Sequence, residues 1–278
     1  MILSATAKLA GVMGWPVTYS KSPRLHGYWL ERHGIDGAYV PLPVRPESFA
    51  SAIRGLAEAG FCGVNLTLPH KQAALDVCDT LDSLAERIGA VNTVIFRDGQ
   101  LEGRNTDAIG FLENLRQGAP AWQPQAGPAV VLGAGGAARA VVAALADAGV
   151  SEIRLTNRTA ERAEVLAEAL GAPLTIVPWE ARAAALSDTA LLVNTTSLGM
   201  TGQPALDLSL AALPTDAAVT DAVYSPLETP LLRDARARGN QAVDGLGMLL
   251  HQARPAFEAW FGIRPEVTAE LRAFVLAD

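Results

Sequence analysis

The chain has 278 residues, half of them hydrophobic and 18% charged, enough for two domains with sizeable cores and too apolar for intrinsic disorder. Its net charge of −7 excludes the basic face by which proteins hold nucleic acid. No run approaches the ~20 apolar residues needed to cross a bilayer. Cys62 and Cys78 are too few for a disulfide framework, and the histidines at 26, 33, 70 and 251 lack metal-ligand spacing, so free thiols and no metal are expected. The opening "MILSATAKLAGVMG" lacks the basic start and continuous apolar core of a signal peptide, and a cytoplasmic protein is expected.

In chain order, "LAGVMG", "AYVPLPV" and "GVNLTLP" read as strands, and "ESFASAIRGLAEAG" reads as a helix ended by Gly60. In "GVNLTLPHK" (63–71), Val64, Leu66 and Leu68 alternate with Asn65 and Thr67, which predicts a half-buried strand running to Pro69. "TVIFRDGQLEG" reads as a hairpin, because Asp98-Gly99 suits a type I′ turn. From about 110 onward, apolar strands alternate with Ala-rich helices. The strands fall at 129–133, 152–157, 174–178, 191–196, 218–224 and 241–245. That alternation predicts a parallel sheet covered by helices through right-handed crossovers. Two amphipathic helices, "MLLHQARPAFEAWFG" and "VTAELRAFVLA", follow Gly245. Periodicity does not decide whether they pack back on the first domain.

"AVVLGAGGAARAVVAAL" carries Gly133-x-Gly135-x-x-Ala138 between a strand and a helix. The first glycine permits a tight turn, the second lets the backbone approach a pyrophosphate, and the helix start supplies N–H donors. A cofactor with a free ribose 2′-hydroxyl usually meets an acid at the end of the next strand. Here "LTNRTAER" offers Asn157, Arg158, Thr159 and Arg162 instead. No carboxylate repels a 2′-phosphate, and two guanidiniums can pair with one, so NADP(H) is expected.

A carbonyl reductase needs a proton donor and groups that orient the substrate. Candidates are Ser20 and Ser22 in "GWPVTYSKSPRLH", Lys71 after "NLTLPH", Asn92 in "GAVNT" and Asp107 in "NTDAIGF". Each alone reads as an ordinary turn residue, surface charge or helix cap. In this order, and with "GAGGAA", "NRTAER", "NTTSLGM", "DAVYSPLETPLL" and "DGLGMLLHQA", they resemble the shikimate dehydrogenase family over almost the whole chain.

The resemblance implies an α/β protein. It would have a discontinuous N-terminal α/β substrate domain (1–107 and 246–278) and a Rossmann-type, doubly wound parallel-sheet NADP-binding domain (108–245). It implies NADPH-dependent reduction of 3-dehydroshikimate to shikimate, on the way to chorismate and aromatic amino acids. Ser20 and Ser22 would hold the substrate carboxylate. Thr67, Asn92, Asp107, Tyr224 and Gln252 would hold its hydroxyls and the reacting position. Lys71 and Asp107 would form the catalytic pair and also touch substrate, while His70 has no role. The cofactor would lie on Gly133, Ala134, Gly135, Gly136, Ala137, Asn157, Arg158, Thr159, Arg162 and Thr195, with Gly245 and Met248 near the nicotinamide. A lysine is cationic at pH 7 and can stabilise and protonate a forming alkoxide.

Two positions depart from the family pattern: Tyr19 replaces a common histidine and Gly27 a common asparagine. A quinate/shikimate dehydrogenase preferring NAD, or a non-catalytic dinucleotide sensor, are the alternatives. The protein would act on a small molecule as a monomer or homodimer, without nucleic acid or membrane.

Overall fold

The computed structural model describes residues 2–277, which divide into two compact units. One runs up to Thr106 and resumes at Leu250; the other spans Asp107–Leu249.

The first unit contains β1 (Lys8–Gly14), α1 (Ser22–Arg32), β2 (Gly37–Pro43), α2 (Phe49–Glu58), β3 (Gly63–Leu66), β4 (Thr80–Leu81), α3 (Ser83–Ile88), β5 (Thr93–Arg97) and β6 (Gln100–Arg104). They form a mixed sheet in the order β2-β1-β3-β5-β6-β4. β2, with Pro41 and Pro43, occupies an edge, where a missing N–H breaks no ladder. Asp98 and Gly99 both take positive φ (53° and 76°) between β5 and β6, the geometry a type I′ hairpin demands. α3 is capped by Asp82, whose carboxylate accepts from Ala85 N at 2.6 Å, and ends at left-handed Gly89.

One expectation needs correction here. β3 is buried at all four residues rather than on alternate ones. It lies inside the sheet between β1 and β5, so Asn65 is as enclosed as Val64 and Leu66 and must find its partners within the protein. Met13, Ile53, Val64, Leu66, Val91 and Leu101 share the core there.

The second unit contains α4 (Asp107–Gly118), β7 (Ala129–Leu132), α5 (Gly136–Asp147), β8 (Ile153–Thr156), α6 (Ala160–Leu170), β9 (Leu174–Ile176), β10 (Leu191–Asn194), β11 (Ala218–Asp221), α7 (Pro230–Ala237) and β12 (Gln241–Val243). Its sheet is wholly parallel, in the order β12-β11-β10-β7-β8-β9. Chain order reverses between β7 and β10, which makes their carboxyl ends the switch point of a doubly wound fold. β7, β10 and β11 are buried at every residue, as continuous apolar runs in a covered parallel sheet should be.

α8 (Leu246–Phe261) begins in the second unit and continues into the first, followed by α9 (Ala269–Leu276). In the first unit its Phe257 and Trp260 join Trp29, Tyr39 and His26 in an aromatic cluster; His26–Tyr39 centroids lie 4.0 Å apart with nearly parallel rings. Fully burying one such side chain stabilises by about 1.5–3 kcal/mol.

Candidate active site

In the first unit Gln252 is brought to Asn92, at the entry to β5, together with Thr106. Its Nδ2 donates to Thr106 Oγ1 at 3.0 Å and to Gln252 Oε1 at 3.3 Å, while its Oδ1 accepts from Thr106 N at 2.8 Å. Gln252, on α8, is thus brought to a residue 160 positions earlier. Asn92, Thr106 and Gln252 are all buried, and a buried polar cluster with satisfied bonds has fixed donors and acceptors.

Lys71 follows β3 and is half-buried. Its backbone carbonyl accepts from Val91 N at 2.8 Å, which ties it one residue away from Asn92. Thr67 is held by its own N–H to Met13 O at 3.0 Å and by its carbonyl to His70 N at 2.9 Å. The His70 ring is buried, stacked on Phe49 at 4.6 Å, and bonded through Nε2 to Val44 O at 2.8 Å. Ser20 and Ser22 are fixed to one another where α1 starts, with Ser22 N donating to Ser20 Oγ at 3.3 Å.

In the second unit, β7 leads through Gly133 into α5. Gly133 has φ +105°, and a Cβ there would meet Thr195 Oγ1 at 2.7 Å. Thr195 itself follows β10 and is held by two bonds to Leu132 O, from N at 2.9 Å and from Oγ1 at 2.6 Å. Gly135, the N-cap of α5, has no side chain to satisfy the helix's first N–H groups, and a Cβ at Gly135 or Gly136 would point into open space. Ala134 and Ala137, on either side of that glycine pair, are half-buried. This cradle of small residues and unsatisfied helix-start donors, at the switch point, fits a dinucleotide pyrophosphate. After β8, Asn157 Nδ2 donates to Thr159 O at 2.7 Å, and Arg158, Thr159 and Arg162 are exposed. Thr156 Oγ1, buried beside them, has no hydrogen-bond partner among the described residues.

Tyr224 lies in the loop after β11, and that loop is clamped by Asp221. The Asp221 carboxylate accepts from Val223 N at 3.0 Å, Asn194 Nδ2 at 2.9 Å and Thr229 Oγ1 at 2.8 Å. Burial pushes its pKa up to about 6, against the pull of these three donors. Asn194 Oδ1 in turn accepts from Thr196 Oγ1 at 2.7 Å, so one carboxylate braces the loops carrying both Thr195 and Tyr224. Gly245 abuts Ala222 O of the same loop with no room for a Cβ. Gly247 abuts Asn114 Oδ1, whose Nδ2 donates to Asp244 O at 2.7 Å. Met248, one residue on, is half-buried. Asp107 heads α4 directly after Thr106 and is buried.

Sequence reasoning missed Thr106, Tyr39 and Asp221. Tyr39 Oη donates to Asn65 Oδ1 at 2.7 Å, and Asn65 Nδ2 donates to Thr93 Oγ1 at 3.0 Å and Asn92 O at 3.2 Å. For Tyr39, inside β2, and Asp221, at the end of β11, the signal was a polar residue in an apolar strand, which marks a buried group needing partners. Among the described residues no cluster of His, Cys, Asp or Glu could hold a metal ion, and no helix is long and apolar enough to cross a membrane.

Three family descriptions match successive parts of the chain: the shikimate dehydrogenase substrate binding domain at residues 12–94, shikimate / quinate 5-dehydrogenase at 123–200, and the shikimate 5′-dehydrogenase C-terminal domain at 245–269. A protein named shikimate dehydrogenase (NADP(+)) from Paramagnetospirillum magneticum is 66% identical over 99% of this chain and 100% of its own length. The crystal structure of shikimate 5-dehydrogenase from Thermus thermophilus in complex with NADP(H) and shikimate is 41% identical, with a TM-score of 0.86 over 96% of this chain and 98% of that one. Quinate dehydrogenase from Corynebacterium glutamicum in complex with NAD is 31% identical, with a TM-score of 0.90 over 98% and 99%.

Proposed function

The chain belongs to the shikimate dehydrogenase family, and from that membership we propose that it catalyses the reversible, NADPH-dependent reduction of 3-dehydroshikimate to shikimate. The observation that carries the reading to these residues is the buried Asn92–Thr106–Gln252 cluster beside the Lys71 backbone. Residues 1–107 with 246–278 bind substrate, and 108–245 bind the dinucleotide.

NADPH, when bound, supplies the hydride. The chain's own side chains do the rest. Ser20 and Ser22 donate hydrogen bonds to the carboxylate. Thr67, Asn92, Tyr224 and Gln252 hold the ring hydroxyls, which fixes the carbonyl carbon in one orientation. Lys71 stabilises the oxygen as it becomes an alkoxide and gives it a proton, and Asp107 orients the ammonium. In the oxidation direction Lys71 takes that proton up. Gly133, Ala134, Gly135, Gly136, Ala137 and Thr195 hold the pyrophosphate. Asn157, Arg158, Thr159 and Arg162 receive the 2′-phosphate, and Gly245 and Met248 flank the nicotinamide. The reaction belongs to the route to chorismate and aromatic amino acids, in a cytoplasmic monomer or homodimer.

The test follows reduced nicotinamide absorbance with shikimate or quinate and either oxidised cofactor. Turnover is expected with shikimate and NADP+. Faster turnover of quinate with NAD+ supports the dual quinate/shikimate enzyme that the C. glutamicum likeness suggests. No turnover with any pair supports a non-catalytic sensor.

A further inference from the structure

We propose that Asp221 is a positioning residue that holds Tyr224 at a fixed place relative to Thr195, so that one buried side chain aligns a substrate contact with a cofactor contact. The inference rests on the reading of Tyr224 as a substrate residue and Thr195 as a cofactor residue.

Asn194 and Asp221 are the last residues of β10 and β11, stand opposite one another in the parallel register, and are both almost fully buried. Burying a carboxylate is costly, and a helix cap alone needs only a hydroxyl, so a charge at 221 calls for a wider duty. Its two oxygens receive donors from three places. Oδ1 accepts from Asn194 Nδ2 and from Val223 N, at 2.9 and 3.0 Å, and Oδ2 accepts from Thr229 Oγ1 at 2.8 Å. Val223 lies at the start of the loop after β11, and Thr229, the N-cap of α7, ends it. One carboxylate therefore fastens that loop at both ends, with Tyr224 inside the ring it makes.

The Asn194 bond carries the same constraint to the loop after β10. Asn194 Oδ1 accepts from Thr196 N at 3.1 Å and from Thr196 Oγ1 at 2.7 Å, and Thr196 Oγ1 accepts from Leu198 N at 3.1 Å. Thr195 is thereby fixed between Asn194 and Thr196, and its own N and Oγ1 donate to Leu132 O just ahead of the Gly133 turn. A second tie joins the two loops farther out, where Thr201 N donates at 2.8 Å to Ser225 O, the residue after Tyr224. Fixed orientation of bound partners is what raises their rate of reaction, and this brace supplies it from one unit. An alanine at 221 leaves three donors without their acceptor. An asparagine keeps Oδ1 for two of them and turns an N–H toward Thr229 Oγ1, which can accept it.

The test compares Asp221→Ala with Asp221→Asn. The alanine should raise KM for shikimate and KM for NADP+ about three- to tenfold each, and the asparagine should hold both within about twofold of wild type. In a Tyr224→Phe background the alanine should have no further effect on KM for shikimate while its effect on KM for NADP+ persists, a split that a general loss of stability does not produce. Unchanged constants in the alanine variant, an asparagine as damaging as the alanine, or a full shikimate effect that persists without the Tyr224 hydroxyl overturns the proposal. Should the alanine variant not fold, Asn194→Ala cuts only the arm to the β10 loop. It should raise KM for NADP+ several-fold with KM for shikimate within about twofold, and an equal change in both, or none, overturns the proposal. Wild-type turnover of shikimate with NADP+ is the separate control. Its absence overturns the functional reading and the proposal with it, whereas failure in the variants alone overturns only the proposal.

Discussion

Lys71 carries the heaviest chemical assignment, and its surroundings define a clean test. Its backbone is tied to Val91, so an alanine there removes the ammonium without releasing the loop. Lys71→Ala should lower kcat by ~10²–10⁴-fold with a smaller change in KM, as loss of a general acid does. A steady-state kcat within a few-fold of wild type removes Lys71 from the proton step. Arg158 is the corresponding probe for the cofactor. It is exposed after β8 with no acid in its loop, so Arg158→Ala should raise KM for NADPH at least tenfold and leave KM for NADH nearly unchanged. Asp221 makes a pH prediction. Its pKa in the fold is about 6 against 3.8 for a free aspartate carboxyl, so the folded state binds the proton more tightly than the unfolded chain. The stability it contributes is complete below about pH 3.8 and is lost as pH rises through about 6. The loss is at most about 3 kcal/mol. Asp221→Asn lacks this titration. Its melting temperature relative to wild type should therefore climb between pH 4 and 6.5; a constant difference across that window refutes the assignment.

At the scale of elements, the turn from β7 into α5 separates two duties that a glycine can have. Gly133 combines a left-handed φ with contact against Thr195, so Gly133→Ala strains the backbone and displaces the β10 loop. It should lower stability by about 1–3 kcal/mol as well as weaken NADP+. Gly135 has φ −90° and open space around it. Gly135→Ala should leave the melting temperature within a degree or two. It should still raise KM for NADP+ several-fold, because in the proposed site the methyl would fill the open space offered to the pyrophosphate. Thermal melts of both variants beside their cofactor KM values check the contrast, and an equal loss of stability defeats it.

Across the whole molecule, the first unit depends on residues from both ends of the chain. Phe257 and Trp260 of α8 complete the cluster around Trp29, Tyr39 and His26, and Trp260 Nε1 donates to Val94 O at 3.2 Å. Phe257 is fully buried, so Phe257→Ala should cost about 3–5 kcal/mol in denaturant unfolding of the intact chain. α8 also carries Gln252, so packing of this helix and integrity of the polar cluster are one requirement.

The sequence alone determined what local periodicity and turn chemistry can carry. The alternation of strands and helices from about 110, the glycine turn, the basic segment after β8 and the Asp98-Gly99 hairpin all depend on neighbours a few residues apart. Ordered motifs then pointed to the family, which the whole-chain similarity supports. What only the tertiary structure decided depends on partners far along the chain. Asn65 read as the polar face of a half-exposed strand. It is buried because β3 lies between β1 and β5, and it is satisfied by Tyr39 and Thr93, 26 and 28 residues away. Thr106 is bonded to Asn92, 14 residues before it, and the pKa of the Asp221 carboxyl is raised by burial that no run of letters displays. Burial and hydrogen-bond satisfaction are properties of the packed chain, because each depends on which distant groups exclude water from the same place.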